Sequence, residues 1–297
     1  TTPAPAARAR SSSTATARSD PVVDDRASPL IEWACALGHW WRIGRWPDLD
    51  NPGAFNEKVQ AFKLRHRPAE IVPLADKIAV KPYVAERLGA DWIIPSLFEG
   101  EALPERRDWP LPYVVKANNS SGRNLFVRTE AEEDWPALHR TTRRWMTLRH
   151  SALKGEWVYS RIAPRLLVEP LLGGSGFPAD YKFFVFSGRV AMIQVDTDRG
   201  SGHKRKLFDR DWTELPVKLH TPTDPRPLPR PEQMDRLIAA AETLGAPFPF
   251  VRADFYLIDG QPKFGELTFT PGAGVKRFTP DSFDYELGAL WPWPETA

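Results

Sequence analysis

The sequence predicts an α+β chain, on three observations. Phe250–Tyr256 and Lys263–Phe269 flank an Asp259-Gly260 pair, the strongest short signal for a β-hairpin. Asp180–Phe186 and Arg189–Asp196 flank Ser187-Gly188 and read as a second antiparallel pair. Met234, Leu237, Ile238, Ala241 and Leu244 recur at helical spacing between Pro231 and Gly245, a Pro-started and Gly-stopped helix.

The remaining elements follow in chain order. Residues 1–27 are rich in Ala, Ser, Thr, Arg and Pro without an apolar run. Such a stretch cannot bury enough surface to offset chain entropy, so disorder is expected there. It has no apolar h-region of a signal peptide, although its Arg and Ser content loosely resembles a transit peptide. From Pro29 to Trp46, tryptophans 33, 40, 41 and 46 stand among Arg and His. An interfacial helix or a nucleic-acid platform is one reading. The favoured one is an amphipathic helix packed on the core with an Arg fringe. A short helix is expected from about Pro82 to Gly89. Pro112–Lys116, a polar turn over Ala117–Asn124, and Leu125–Arg128 read as strand, loop, strand. Thr129-x-x-Glu132 has the pattern of a capping box opening an Arg-rich helix toward His150. Arg165–Leu172 reads as a buried strand carrying Glu169. The Pro-rich segment Thr221–Pro231 is a linker or surface loop.

Several side chains on these elements can carry chemistry. Asp254 and Glu266 lie on opposite arms of the last hairpin, and antiparallel pairing brings such residues close. Two carboxylates so held make a hard-oxygen site suited to Mg²⁺ with a nucleotide phosphate. The alternative is two strand-end acids facing water. Lys116 leads into a Ser/Gly loop whose backbone N–H groups can face phosphate oxygens, and the lysine would add a point charge. Neither a Gly-x-x-x-x-Gly-Lys-Ser/Thr loop nor a Gly-x-Gly-x-x-Gly fingerprint is present. Asp180 and Lys182 share one face of their strand by period-two alternation, as a solvated pair or as ribose and phosphate contacts. The segment Asp196–Lys206 places Arg199, His203, Lys204 and Arg205 around two glycines. It reads as a site for a carboxylate or phosphate, against a solvated loop; arginine suits bidentate carboxylate recognition. His203 is placed to take a proton from an attacking amine.

Composition sets outer bounds. The 297 residues can bury a substantial core as one large or two smaller domains. With 40 Lys and Arg against 38 Asp and Glu, the charge of +2 points neither toward nor away from nucleic acid. The single Cys35 excludes an intrachain disulfide framework and a Cys-rich zinc site, and its apolar neighbours suggest core packing over catalysis. It fits a reducing compartment, and a cytoplasmic location is expected. No stretch approaches the roughly 20 apolar residues of a membrane span.

The order of these features resembles the ATP-grasp superfamily: Asp76-Lys77, the Lys116 strand and its loop, Glu169, Asp180-Tyr-Lys182, Arg252-x-Asp254, and Glu266 before Pro271-Gly272. Finer motifs resemble its teichuronopeptide-biosynthesis (TupA-like) branch. They are Asn51-Pro-x-x-Phe-Asn-Glu-Lys58, Asp76-Lys-x-Ala-Val80, Asp180-Tyr-Lys-Phe-Phe, Gln194-Val-Asp-x-Asp-Arg199, His203-Lys-Arg205 and Phe248-Pro-Phe-Val-Arg252.

The resemblance runs from about Asn51 to about Leu290. It implies two α+β subdomains clamping ATP. It divides the chain into a tail (1–27), an N-terminal region (28–110), a small subdomain (111–166) and a large subdomain (167–297). It implies that Lys77, Lys116, Ser120, Ser121 and Gly122 meet the phosphates, that Glu169 opens the adenine hinge, and that Asp180 and Lys182 face ribose and phosphate. Asp254, Glu266 and Thr268 would hold Mg²⁺; the superfamily usually has Asn where Thr268 stands. Arg252 would stabilise the transferring phosphoryl group, with Arg199 and His203 as catalytic partners and Arg199, His203, Lys204 and Arg205 on the substrate. The phosphate loop departs from the branch's His-Gly-Ser-Gly-Gly and reads Asn119-Ser-Ser-Gly-Arg123, stiffer and with one more cation. The activity implied is amide formation between a carboxylate and an amine through an acyl-phosphate, on a small-molecule or polymer-linked substrate, with no nucleic-acid partner. The alternatives are a kinase acting on a hydroxyl and a binding protein with a degenerate ATP site.

Overall fold

The computed structural model describes residues 26–147, 155–173, 177–200 and 202–293. In chain order the elements are helices α1 (Pro29–Ile43), α2 (Phe55–Arg65), α3 (Val72–Ala75) and α4 (Val80–Leu88), strands β1 (Phe98–Gly100), β2 (Tyr113–Ala117) and β3 (Asn124–Val127), helices α5 (Trp135–Thr147) and α6 (Trp157–Arg161), strands β4 (Leu166–Pro170), β5 (Asp180–Phe186), β6 (Arg189–Thr197), β7 (Lys204–Phe208) and β8 (Lys218–Leu219), helix α7 (Met234–Gly245), strands β9 (Phe250–Ile258), β10 (Gln261–Thr268) and β11 (Phe278–Thr279), and helix α8 (Ser282–Ala289). They build a four-stranded sheet β1-β4-β2-β3, a five-stranded sheet β10-β9-β5-β6-β7 and a small β11-β8 pair, all antiparallel.

The five-stranded sheet is buried on both faces. One face carries Phe183, Val185, Ile193, Val251, Ala253 and Phe255 against the α7 residues Leu237, Ala241 and Leu244. A Cβ on Gly245 would lie 2.5 Å from Val185 Cγ1, so the glycine lets the end of α7 sit directly on the sheet. The opposite face packs Phe184, Phe186, Met192 and Phe250 around Phe55 of α2, Phe278 and Trp291. The Phe55 ring stands 4.9 Å from that of Phe250 and 5.8 Å from that of Phe184. Aromatic residues fill only half of this face. Beyond them, the same alternation presents charged side chains.

The Asn51–Lys58 motif acquires a physical role here. Polar residues of α2 are buried and act as a bracket for the C-terminal chain. Lys58 Nζ donates to the carbonyls of Gly288 (2.8 Å) and Trp291 (2.6 Å). Gln60 donates to Ala273 and Gly274, and Lys63 to Ala273. Asn56 Nδ2 donates to Lys276 O and to Asp284 Oδ1. Glu57 Oε2 accepts from the N–H groups of Gly53 and Ala54 and closes the start of α2. Each buried carbonyl outside a ladder needs a donor, and these side chains supply them.

Three expectations are corrected. The tryptophans of 29–46 do not pack on the core: α1 buries Cys35, Ala36, His39 and Ile43 instead, leaving Trp33, Trp40, Trp41 and Trp46 about half exposed or more. The helix itself packs on the protein as expected, through Cys35, Ala36, His39 and Ile43, and its rings lie away from that side. The helix after Thr129 begins later than the Thr129/Glu132 pattern suggests. A 3₁₀ turn occupies Glu130–Glu132, and Asp134 Oδ1 accepts from Ala137 N ahead of α5. The stretch 98–100, placed in the N-terminal region, pairs with β4, and the division at 166/167 falls inside β4; a three-residue strand shows no alternation from which to read it. The expected disorder of 1–27 lies outside the described residues up to 25, while Ala27 is buried and donates to Leu64 O (2.8 Å). Among the described residues, no helix is long and apolar enough to cross a membrane.

Candidate active site

The charged half of the five-stranded sheet forms the floor of a cleft of about 480 Å³. Alternation puts Asp180 and Lys182 of β5, Gln194 and Asp196 of β6, Arg205 of β7, and Arg252 and Asp254 of β9 on one face. Register then sets their neighbours: Lys182 opposite Asp254, Asp180 opposite Asp196, and Asp196 opposite Arg205.

Glu266 reaches this face through a break in register. Phe264 pairs with Phe255, Gly265 is skipped, and Glu266 pairs with Asp254. Without the bulge Glu266 would oppose Ala253 and point into the core, because a one-residue slip flips every side chain. A Cβ at position 265 would lie 3.0 Å from the Asp254 carbonyl oxygen, which explains why glycine occupies the bulge. Thr268, opposite Arg252, follows on the same face.

The floor is a dense ion network. Lys182 Nζ donates to Asp180 Oδ2 (2.6 Å) and Asp254 Oδ2 (2.7 Å). Arg252 spans both Asp254 oxygens, each at 2.7 Å, and reaches Thr268 Oγ1 (3.1 Å) and Glu266 Oε1 (3.4 Å). Burial pushes the Asp254 carboxyl up, against the pull of Arg252 and Lys182. Burial would push Glu266 up too, but Lys77, Arg252 and Lys182 together hold it down at about 2. Burial lowers Lys182, yet Asp180 and Asp254 outweigh it and leave its pKa raised. Asp180 Oδ1 is buried with no partner, an acceptor aimed at nothing in the protein.

The four-stranded sheet supplies the opposite wall. Lys116, on β2, donates to Glu169 Oε2 on β4 (2.6 Å). Lys81 of α4 holds the other oxygen (2.7 Å). Burial would raise the Glu169 carboxyl, but the two lysines win and its pKa is lowered. Lys77 donates to Ser120 O (2.7 Å), and its Nζ lies 3.9 Å from Glu266 Oε2, so it links the phosphate-loop candidate to the last hairpin. Burial depresses Lys77, with Glu266 opposing. Ser121 and Gly122 line the cleft. Ser120 is buried, with its hydroxyl unpartnered. Arg123 does not add a cation to the cleft: its Nη1 donates to Trp145 O (3.1 Å).

The segment after β6 splits into two ends; Ser201 lies outside the described residues. Arg199 turns to Asp180 Oδ2 (2.5 Å), and with Tyr256 it also lines a smaller pocket beside Glu169, Leu171 and Leu172. His203 Nε2 lies 3.1 Å from Asp196 Oδ1, an ion-pair distance without hydrogen-bond geometry. Arg205 Nε donates to the same oxygen (2.6 Å). Burial would raise Asp196, but Arg205 holds it near 2. Lys204 alternates to the other face of β7 and does not line the cleft. Arg199, His203 and Arg205 thus line the one cleft and engage the neighbouring acids Asp180 and Asp196, while Lys204 does not line it.

Sequence reasoning missed Lys81 as a cleft residue. It sits inside the short helix after Asp76-Lys77 and meets Glu169 only once α4 packs beside β4. Its only signal was the lysine four residues after Lys77, one helical turn on.

A family model described as TupA-like ATPgrasp matches residues 57–291. The chain belongs to the TupA-like ATP-grasp family. Its fold is therefore the α+β ATP-grasp fold, with the cleft lying between the two sheets. No curated protein sequence matches the chain. Among solved structures, D-alanine–D-alanine ligase from Bacillus anthracis complexed with ATP is 16% identical, covering 67% of this chain and 56% of that one, with a TM-score of 0.40. L-amino acid ligase from Bacillus licheniformis is 16% identical over 74% and 50% (TM-score 0.46). D-Alanine-D-alanine ligase from Helicobacter pylori is 16% identical over 82% and 68% (TM-score 0.42). The TupA-like chain thus spans about half of the first two proteins' lengths.

Proposed function

We propose that this chain is an ATP-dependent carboxylate–amine ligase, ADP-forming, acting on a uronic acid or peptide-like cell-surface polymer or its precursor. The observation that carries the reading is the convergence on one cleft of Lys77 and Lys116 from the side of the four-stranded sheet and of Asp254, Glu266 and Arg252 from the five-stranded sheet. Cations facing a pair of acids across a cleft suit a metal–triphosphate held between them.

In the proposed reaction, a carboxylate oxygen bonds to the γ-phosphorus while the β–γ bridge breaks and ADP leaves with its electron pair. An amine nitrogen then attacks the carbonyl carbon of the acyl-phosphate, and inorganic phosphate leaves as the C–O bond breaks. Such transfers are accelerated mainly by positioning and charge neutralisation. Lys116 and Lys77 would hold phosphate oxygens, and Lys182 and Asp180 the ribose–phosphate side. Arg199, paired with Asp180, belongs to this nucleotide side. Arg252 would face the transferring group. His203 would accept the proton lost by the amine.

The donor set fits Mg²⁺. Asp254 and Glu266 are facing carboxylates with the Thr268 hydroxyl beside them. Among the described residues no three His, Cys, Asp or Glu gather into a metal cage, so such an ion would complete its shell with phosphate and water, as Mg²⁺ commonly does. When bound, it would neutralise phosphate charge.

The test is ADP release measured with candidate carboxylates and amines. Release that needs both supports the ligase. A phosphorylated product formed without amine would make it a kinase, and absence of nucleotide binding would make it a binding protein.

A further inference from the structure

Helix α1 has two apolar faces, and the fold uses one of them. Its inner side, Cys35, Ala36, His39 and Ile43, is buried. His39 Nδ1 lies 3.0 Å from Gly274 O, in the loop whose residues Pro271 and Gly272 line the cleft. The other side holds Leu30, Trp33, Leu37, Trp40 and Trp41. At 3.6 residues per turn these five fall within about 100° of arc, opposite the buried four. They are between 37% and 76% exposed, and Trp46, just past the helix, is 53% exposed. No charged residue interrupts the stripe. Its three rings alone leave on the order of 450 Å² to solvent, taking about 250 Å² for a whole tryptophan. The two leucines extend it past that. The largest apolar patch on a typical soluble monomer is roughly 300–600 Å², and larger ones mark protein or membrane contacts.

Two features say what covers the stripe. The first is residue type. Tryptophan is enriched where apolar and wet surroundings meet, because its ring is apolar and its N–H needs a polar partner. Among the described residues, none of the indole N–H groups of Trp33, Trp40, Trp41 and Trp46 has a protein acceptor, whereas those of Trp135 and Trp212 donate to main-chain oxygens. A lipid headgroup layer offers phosphate and ester oxygens to all four. The second is charge. Between residues 26 and 46 the exposed side chains include Arg26 and Arg42 and no acid. Arg42 Cζ stands 5.9 Å from the centre of the Trp41 ring, at the edge of the stripe. Glu32, the acid of α1, is engaged by Arg65. Asp48 accepts from the N–H groups of Asp50 and Asn51, and Asp50 is itself held by Arg65. A second copy would bring the same arginines and no acid, whereas an isologous contact has to be self-complementary. An anionic bilayer answers both the rings and the arginines. The helix precedes residues 57–291, so this face is not part of what the family match describes.

We propose that α1 is an interfacial helix whose stripe of Leu30, Trp33, Leu37, Trp40 and Trp41 enters the headgroup region of an anionic lipid bilayer, with Arg26 and Arg42 against the lipid phosphates. Its 15 residues span about 22 Å, so it lies on the bilayer and does not cross it. Because its inner side rests on the loop behind the cleft, docking holds the cleft beside the membrane surface.

The experiment is flotation of the full chain with vesicles of phosphatidylcholine alone and of phosphatidylcholine mixed with phosphatidylglycerol. Binding to the mixed vesicles should exceed binding to the neutral ones at least fivefold, since each arginine near an anionic surface is worth about a factor of five. Arg42→Glu should weaken binding to the mixed vesicles about five- to tenfold. Trp33→Ser combined with Trp41→Ser should weaken it at least tenfold, and should remove most of the quenching of tryptophan emission by brominated lipid. These side chains are exposed, so the variants should keep the urea midpoint of the natural sequence. Absence of the natural sequence from both floating fractions overturns the proposal and leaves the stripe to a protein partner. Flotation unaltered in the double tryptophan variant overturns it as well. Equal binding to neutral and mixed vesicles overturns the part given to the arginines. A lipid-free dimer that the double variant dissociates, with no vesicle binding, would assign the stripe to a second copy. None of these readouts involves ADP release, so each outcome stands apart from the ligase reading.

Discussion

Replacing Lys182 with Met isolates the ion network beneath the cleft. Its ammonium lies 2.6 Å from Asp180 and 2.7 Å from Asp254, and the three side chains are 8%, 1% and 1% exposed. Methionine keeps the length of the stem and removes the charge. Asp180 would keep only Arg199, whose side chain is half exposed, while Asp254 would keep both bonds to Arg252. Breaking a buried pair from one side costs about 3–5 kcal/mol, because the remaining charge stays buried. The retained arginine bonds favour the lower end, about 3 kcal/mol. That is a large share of the stability of a typical domain. Urea unfolding at pH 7 measures it. A pH series adds a sign. Burial already raises the Asp254 carboxyl and Lys182 pulls it down. In the variant it rises further, so the folded state takes up a proton before the unfolded one does. The deficit relative to the natural sequence should therefore shrink as pH falls from 7 toward 5. A loss below about 1 kcal/mol that does not change with pH would refute the network as described.

Lys116→Ala should weaken a non-hydrolysable ATP analogue roughly 10- to 150-fold in calorimetry, the equivalent of a charge-assisted contact of about 1.5–3 kcal/mol; an unchanged dissociation constant counts against Lys116 as a phosphate ligand. Arg199→Ala should raise KM for ATP more than KM for the carboxylate, since its partner is Asp180; the reverse pattern would return Arg199 to the substrate. His39 is buried and its pKa is pushed down to about 4 by desolvation. The unfolded chain protonates near its ordinary value of about 6.5, so stability should be lost as pH falls from about 6.5 to about 4, by roughly 3 kcal/mol at most. His39→Gln should flatten that window in urea titrations, and an identical slope in both proteins would exclude His39 as its source.

The hairpins were legible because their turns announce themselves. Ser187-Gly188 and Asp259-Gly260 both adopt positive φ, at 46° and 78° and at 50° and 73°. The α7 spacing was legible for the same reason, since periodicity reports a buried face directly. The site was half legible. Asp254 and Glu266 could be placed on facing arms, but the bulge at Gly265 that turns Glu266 out of the core shows in sequence only as one more glycine. Lys81 was hidden because its partner Glu169 is far along the chain. The Asn51–Lys58 motif could be seen, but its task could not: its donors answer carbonyls some 200 residues away. The outward tryptophans of α1 were misread because helical spacing cannot say which of two apolar faces meets the core.

The central claim is that Asp254 and Glu266 hold the metal–nucleotide in a ligase cleft. Its most direct test is ADP release by Glu266→Gln in the presence of a carboxylate and an amine that support turnover of the natural sequence. Glu266 is 36% exposed and its bulge is set by the backbone, so the variant should still fold, with a lower urea midpoint because Lys77, Arg252 and Lys182 lose the carboxylate charge they hold. Turnover should nearly vanish. Turnover at the rate of the natural sequence in a folded Glu266→Gln protein would contradict the assignment.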